Sequence, residues 1–373
     1  MVGKTIVEDL AIDFEVTVAD IDPDALKPLS AKEHITTRQI GVDDDKILKE
    51  LMADKDLIVT AVPGSIGYNT LKLVIEQDKN VVDISFFEED PFGLNELAIK
   101  HEVTAIVDCG IAPGLSNLIL GHYNSRIEVS EFSCYVGGLP VNREKPFEYK
   151  APFSVSDVLE EYTRDARFVV NGEIVIKPSL TDIELLKFDE IGELEAFNTD
   201  GLRTLLKMTQ IPNMKEKTLR YPGHAELMKS FREAGLFDKD LVEVNGLKIR
   251  PIDLTLKLLS QSWKLQEGEP ELTVMKVNIM GKVQGEEVHV DFSLYDKYDA
   301  EKNHSSMSRT TGFTCTAVAR MILENKFNHH GVFPPELLSR EDGSFEYVLD
   351  KLKERNVNIN LVESSVLKES ESH

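Results

Sequence analysis

The chain has 373 residues, 42% of them hydrophobic and 29% charged, an ordinary balance for a folded protein of two or three domains. Its 65 acidic against 42 basic side chains leave a formal net charge of -23, which repels phosphate backbones and anionic bilayers and argues against nucleic-acid and membrane partners. Cys109, Cys134 and Cys315 are too few and too scattered for a disulfide framework or a thiolate zinc site, and no apolar run nears ~18 residues, so a cytoplasmic protein without a metal is expected.

The first residues, MVGKTIVEDLAIDFEVTVADIDPD, begin inside an element. Val2, Ile6, Val7 and Leu10 form a stripe of helical period, and residues 15–20 alternate like a strand that closes on Asp20. A helix followed by such a strand is the second half of a dinucleotide-binding βαβ unit, whose first strand and glycine turn come earlier. With Gly3 as the last glycine of G-x-G-x-x-G, Asp20 falls near the ~20-residue spacing of the carboxylate that holds the adenosine ribose. A carboxylate there repels a 2′-phosphate, so the expected cofactor is NAD. The competing role for Asp20 is a cap in a βα turn. The first strand is absent from the chain as given, and a late start codon or a trimmed chain is the expected reason.

Further strands are expected near residues 35–40 and at 57–62, 81–84 and 103–107, several nearly all apolar, with segments between them long enough for crossover helices. The expected fold is α/β, a doubly wound parallel sheet of Rossmann type over residues 1–118. In GVDDD, Asp43 is placed to reach the adenine or to cap the helix beginning near Asp44. Val62 and Pro63 end the fourth-strand position, where such folds lay backbone against the nicotinamide half of the cofactor. The stretches VVDISFFEEDP and VDCGIAPGLSN put Asp83, Ser85, Asp108 and Asn117 at strand carboxyl ends, the ligand side of an open sheet. Gly114 opens a helix whose backbone donors would face the cofactor. The plainer roles are a tie across the Cys109-Gly110 turn for Asp108 and a cap for Ser116.

Beyond Asn117 the pattern turns antiparallel. Asn171-Gly172 in ARFVVNGEIVIKP is a two-residue hairpin signal, and ELTVMKVNIMGKVQGEEVHVDFSLYD reads as two long strands about a glycine-containing turn. Helical stretches at 225–234 and 252–262 make residues 119–304 an α+β substrate and oligomerisation domain. A late helix over 314–325, with Ser308, Thr310 and Thr311 ahead of it as N-capping hydroxyls, would return to the first domain, leaving 331–373 as an extension with a frayed tail.

Five stretches in this order, DCGIAPGLSN, YVGGLP, EAFNTDGLRTLL, TLRYPGH and MSRTTGFT, resemble the saccharopine dehydrogenase-like family, most closely its lysine 6-dehydrogenase branch. The resemblance covers residues 2 to about 333. It implies an NAD-binding Rossmann domain, a substrate domain with an antiparallel sheet, and a homodimer or homotetramer. Saccharopine reductases of the family tend to carry an acid where this chain has Ala112 and a Cys where it has Val136, and the lysine branch resembles this chain at both.

The implied reaction is oxidation of the ε-amine of L-lysine to an imine that water opens to 2-aminoadipate 6-semialdehyde. Hydride leaves only from a carbon bearing a neutral amine, so a base with a pKa near operating pH is required, and histidine suits that. His224, in the family motif Arg220-Tyr221-Pro222-Gly223-His224, is the expected base, with Tyr221 positioning the amine or sharing the proton work. Arg220 and Arg203 are expected to clamp the substrate carboxylate, since a guanidinium fork matches it. Asp83 or Asp108 would hold the cationic end. Surface ion pairing and structural hydrogen bonding are the competing roles. An imine reductase acting on saccharopine or carboxynorspermidine, and a catalytically inactive ligand-binding relative, are the other functional readings.

Overall fold

The computed structural model describes residues 2–41, 45–266 and 268–365. In chain order the elements are α1 (Val2–Leu10), β1 (Val16–Asp20), α2 (Pro23–Leu26), β2 (Ile35–Gln39), α3 (Asp45–Met52), β3 (Leu57–Thr60), α4 (Gly64–Ile75), β4 (Asn80–Asp83), α5 (Asn95–Lys100), β5 (Thr104–Ile106) and α6 (Leu115–Asn124). Then come β6 (Glu128–Pro140), α7 (Val155–Thr163), β7 (Ala166–Val170), β8 (Glu173–Lys177), β9 (Glu184–Phe188), β10 (Gly192–Asn198), α8 (Leu205–Met208), β11 (Asn213–Arg220), α9 (His224–Glu233), β12 (Val242–Val244), β13 (Leu247–Ile249), α10 (Pro251–Ser262), β14 (Glu271–Val283) and β15 (Glu286–Lys297). The chain ends with α11 (Ser306–Leu323), β16 (Gly331–Phe333), α12 (Pro335–Leu338), α13 (Ser344–Glu354) and β17 (Ile359–Ser365). Two compact units result: one runs to His122 and adds Ser308–Val357, and the other holds Tyr123–Met307 and the strand after Asn358.

The first unit is parallel α/β. Its strands form two sheets, a pair β1-β2 and a four-stranded sheet in the order β16-β5-β4-β3, all parallel. Among the described residues no strand pairs with the second edge of β1 or the outer edge of β3. The apolar runs behave as their patterns require: Val81, Val82, Ala105 and Ile106 are fully buried, and Val81 and Ala105 pack with Leu71, Val74 and Ile75 of α4. β3 stops at Thr60, short of the expected 62, and Pro63 stands at the N-cap of α4. An ionic tie holds α1 in place. Arg320 on α11 donates to Asp9 at 2.7 Å and to Asp13 at 2.8 Å, and Arg355 donates to Asp9 at 2.6 Å, with Asp9 and Arg320 both buried.

The second unit is built on a nine-stranded mixed sheet with the path β17-β15-β14-β6-β11-β10-β9, to which β7 and β8 attach. β6, β14 and β15 are long enough to pair over their full lengths, and β6 and β11 run parallel within the sheet. The Asn171-Gly172 turn joins β7 to β8 with φ of 52° and 84°, the left-handed pair such a turn needs.

Two expectations change. Residues 331–373 are no simple extension: β16 joins the parallel sheet beside β5, and β17 pairs with β15 in the mixed sheet. The late helix starts at Ser306, so Ser308, Thr310 and Thr311 lie within it and do not cap a helix from Thr314. Hydroxyls settle there by bonding inside the fold, Ser308 accepting from Thr5 at 2.8 Å and Thr314 donating to the Thr310 carbonyl at 2.8 Å.

Candidate functional site

In the first unit the carboxyl ends of β3 and β4 meet at Asp83. Its Oδ1 accepts from Thr60 Oγ1 at 2.5 Å and Ser85 Oγ at 2.7 Å, and its Oδ2 from the Ser85 amide at 3.1 Å. Complete burial outweighs these bonds, and the nearby Asp108 charge adds to it, so the carboxyl is pushed up to about 7. Ser85, expected at the cofactor, serves this carboxyl instead. The Asp83 carbonyl accepts from the Cys109 amide at 2.9 Å, tying the next strand end to it. Asp108 is buried at φ 54°, and burial raises the Cys109 thiol far above its usual range.

The turn before α6 corrects another expectation. Gly114 has φ +139° and a Cβ there would stand 1.9 Å from the Gly110 carbonyl oxygen, so only glycine fits. That closeness turns the amides inward: Leu115 donates to Gly110 at 3.0 Å, Ser116 to Ile111 at 3.0 Å, and Gly114 to Asn117 Oδ1 at 3.3 Å. These donors do not face a ligand. Asn117 is fully buried and its Nδ2 donates to Glu336 at 3.1 Å, a partner 219 residues away that spacing cannot reveal.

Val62 and Pro63 do sit in the turn between β3 and α4. The turn presses close to the backbone after β4, since a Cβ on Gly64 would lie 2.2 Å from the Phe86 carbonyl oxygen. It sets the N-terminus of the 12-residue α4 at the carboxyl end of the parallel sheet, a geometry that favours an anion. Gly3, by contrast, has open space around a would-be Cβ, so no close approach requires it among the described residues. Asp20 Oδ1 accepts from the Asp22 amide at 2.8 Å, the turn-capping geometry. Arg38, exposed on β2, is in register with Ala19 beside it. Asp43 lies outside the described residues.

In the second unit, His224 begins α9 after Gly223 at φ 98° and is buried. Its Nδ1 faces the Phe147 carbonyl at 3.1 Å and therefore carries the proton, while Nε2 accepts from the Tyr162 hydroxyl at 2.9 Å. Burial, reinforced by the Arg220 charge, lowers its pKa to about 3. This ring is a neutral hydrogen-bonding part of an aromatic core with Tyr149, Tyr162 and Trp263, so the structure speaks against the expected base. Arg220 is likewise spent: it donates to Glu161 at 2.9 Å and to the Leu219 carbonyl at 2.9 Å, and lies 4.3 Å over the Tyr149 ring. A protein carboxylate stands where the substrate's was expected. Arg203 is buried at φ 44° between β10 and α8.

Tyr221, next in sequence, faces the other side of β11 from Arg220. Its hydroxyl donates to the Pro140 carbonyl at 2.9 Å, and its ring borders a cavity of ≈ 440 Å³. Arg143 and Glu271, which the sequence reading missed, also line that cavity. Glu271 shares a face of β14 with Thr273, opposite to Leu272 and Val274, which pack with Tyr221. Among the described residues no cluster of three or more His, Cys, Asp or Glu is placed to hold a metal, and no helix is long and apolar enough to cross a membrane.

Comparison with known proteins covers nearly the whole chain. Residues 110–357 match the family model of the saccharopine dehydrogenase C-terminal domain, and residues 1–106 that of the saccharopine dehydrogenase NADP binding domain. Saccharopine dehydrogenase (NADP(+), L-glutamate-forming) of Pyricularia oryzae is 23% identical over 86% of this chain and 88% of its own. The Schizosaccharomyces pombe protein of the same name is 22% identical over 79% and 82%. A solved structure of apo saccharopine dehydrogenase (L-Glu forming) from Saccharomyces cerevisiae superposes with a TM-score of 0.76 at 19% identity over 98% of both chains, the same fold. These matches overturn the expectation of NAD: the matched domain and the matched relatives are NADP proteins. The structural reason the carboxylate argument misled is that Asp20 is engaged in its own turn, with the cationic Arg38 on the neighbouring strand.

Proposed function

The chain belongs to the saccharopine dehydrogenase family and is a saccharopine dehydrogenase-like oxidoreductase, and we propose that it uses NADP(H) to oxidise the ε-amine of L-lysine. The observation that carries the oxidoreductase reading is the ordered pair of domain matches along one chain. The choice of lysine over saccharopine rests on Ala112 and Val136, apolar where the family's reductases resemble one another in carrying an acid and a thiol. Two fewer polar groups suit a substrate with two carboxylates fewer to hold.

The described parts fit a phosphorylated dinucleotide. The turn at Val62-Pro63 brings the α4 N-terminus to the sheet's ligand end, and Arg38 is the cation suited to a 2′-phosphate, with Asp20 positioning the turn beside it. When bound, the nicotinamide supplies hydride acceptance and nothing else. The protein's own work is proton handling. The lysine ammonium must lose a proton before its carbon can release hydride, and water then adds to the iminium carbon as ammonia leaves. Asp83, Asp108 and Asn117 hold the strand ends of the first unit, and in the second Tyr221 is the residue this reading assigns to the substrate.

The test is reduction of NADP(+) by the purified chain with L-lysine, beside saccharopine and beside NAD. Lysine-dependent NADPH formation is expected, with Arg38→Ala raising the KM for NADP(+) about tenfold and leaving kcat near the parent. Turnover of saccharopine alone would transfer the chain to the second reading, which the names of the matched relatives favour. An Arg38→Ala variant with an unchanged KM would remove Arg38 from the cofactor site.

A further inference from the structure

β7 meets β11 at Met214, outside the stretch 217–220 that β10 occupies, so β8 and β9 follow one another along a single outer edge of the nine-stranded sheet. Among the described residues no strand pairs with the outer side of either. An open edge presents amides and carbonyls to any extended chain, and proteins ordinarily blunt it with an inward charge, a proline or a bulge. β8 reads Glu173-Ile174-Val175-Ile176-Lys177 and pairs with β7 in one unbroken register, so its centre carries none of these.

The edge is apolar where it meets solvent. Ile174 is 57% exposed, Ile176 67% and Leu185 on β9 59%. The ladders place the three on one face of the sheet. Ile174 lies opposite Val169 and Val169 opposite Met214, while Leu185 lies opposite Glu195 and Glu195 opposite Arg220, which shares the face of Met214 by the alternation along β11. An exposed apolar row beside an unpaired strand is the mark of a surface that another chain covers.

The order of charges identifies that chain. Turned antiparallel about Val175, β8 meets its own sequence in reverse, so that Glu173 stands opposite the partner's Lys177, Ile174 opposite the partner's Ile176, and Val175 opposite itself. No charge meets its like, and the glutamate–lysine contact is made twice by symmetry. Lys177 also pairs with Asp182 of its own chain, both side chains partly exposed, so the partner's glutamate joins a cation already held at the edge. We propose that β8 is the contact of a two-fold dimer of this chain, pairing antiparallel with the same strand of a second copy so that one sheet runs through both. A two-fold contact uses one patch twice and therefore needs this self-complementarity of charge and apolar surface.

Sedimentation velocity of the full chain across the micromolar range tests it, and a species of twice the chain's mass is expected. Glu173→Lys sets like charges opposite one another at both symmetry-related contacts and should raise the dimer dissociation constant at least about tenfold. Ile176→Ser should weaken the dimer in the same direction, and since both positions are exposed the circular dichroism of the two variants should match the parent. Val175→Cys puts two thiols on the symmetry axis at a backbone separation that a disulfide spans, so a mild oxidant should join the chains, whereas Lys187→Cys on β9 should stay unlinked; the native Cys109, Cys134 and Cys315 are buried. A parent that sediments as a monomer, a dimer indifferent to both Glu173→Lys and Ile176→Ser, or a cross-link at Lys187→Cys and not at Val175→Cys overturns the proposal.

Discussion

Two buried ionisable side chains show how environment overrides residue type. His224 looks like a base in sequence, yet with a carbonyl on Nδ1 and a hydroxyl on Nε2 its proton inventory is complete. His224→Asn should cost roughly 1–3 kcal/mol in urea unfolding through the broken bond and lost ring packing, while the pH profile of kcat keeps its midpoints. A profile that loses an arm would restore the histidine to the chemistry. Asp83 behaves in the opposite sense. Its folded pKa of about 7 lies above that of an unfolded carboxylate, ~4, so across this window the unfolded chain has released the proton while the folded one keeps it. Stability therefore falls as pH rises from about 4 to about 7 and levels off above. Asp83→Asn, which stays neutral, should unfold with a shallower decline in Tm over that interval, measured beside the parent because Glu271 and Asp157 are raised in the same direction.

At the scale of elements, the helices that secure the first unit are joined by charge as much as by apolar contact. Removing Arg320 leaves Asp9 buried with one partner, Arg355. Arg320→Met is expected to lower unfolding stability by ~3–5 kcal/mol, the cost of breaking a buried pair from one side. A loss under ~1 kcal/mol would show that solvent reaches Asp9. These ties also mark what a sequence can disclose. The strands around Val81 and Ala105 and the Asn171-Gly172 turn were legible because period, apolar runs and left-handed residues are local signals. The start of α11 was not, because Ser308 and Thr310 look like caps until Thr5 and the helix's own carbonyls are seen to satisfy them. At the candidate site the same limit applies: the Arg220–Glu161 and Asn117–Glu336 pairs depend on which segments fold together.

Across the whole molecule, order should be graded by how much each sheet buries. The strands β6, β14 and β15 pair along their lengths inside a nine-stranded sheet and carry fully buried residues such as Phe132, Val277 and Phe292. The β1-β2 pair is different: two strands, five ladder positions, and no fully buried side chain in either. A two-stranded sheet with so little apolar cover is marginal in water, and its local opening free energy lies well below that of the larger sheet. Amide hydrogen exchange should therefore be much faster in residues 16–20 and 35–39 than in β6 and β14. If Arg38 and the Asp20 turn meet the 2′-phosphate end of NADP(H), saturating NADPH will slow exchange in those same ten positions, because a ligand bound only to the closed pair stabilises it by its binding free energy. NADH, lacking the phosphate, should protect them less. Protection confined to residues 60–66, with β1 and β2 unchanged, would place the cofactor's contacts at the β3-α4 turn alone and take Arg38 out of the recognition.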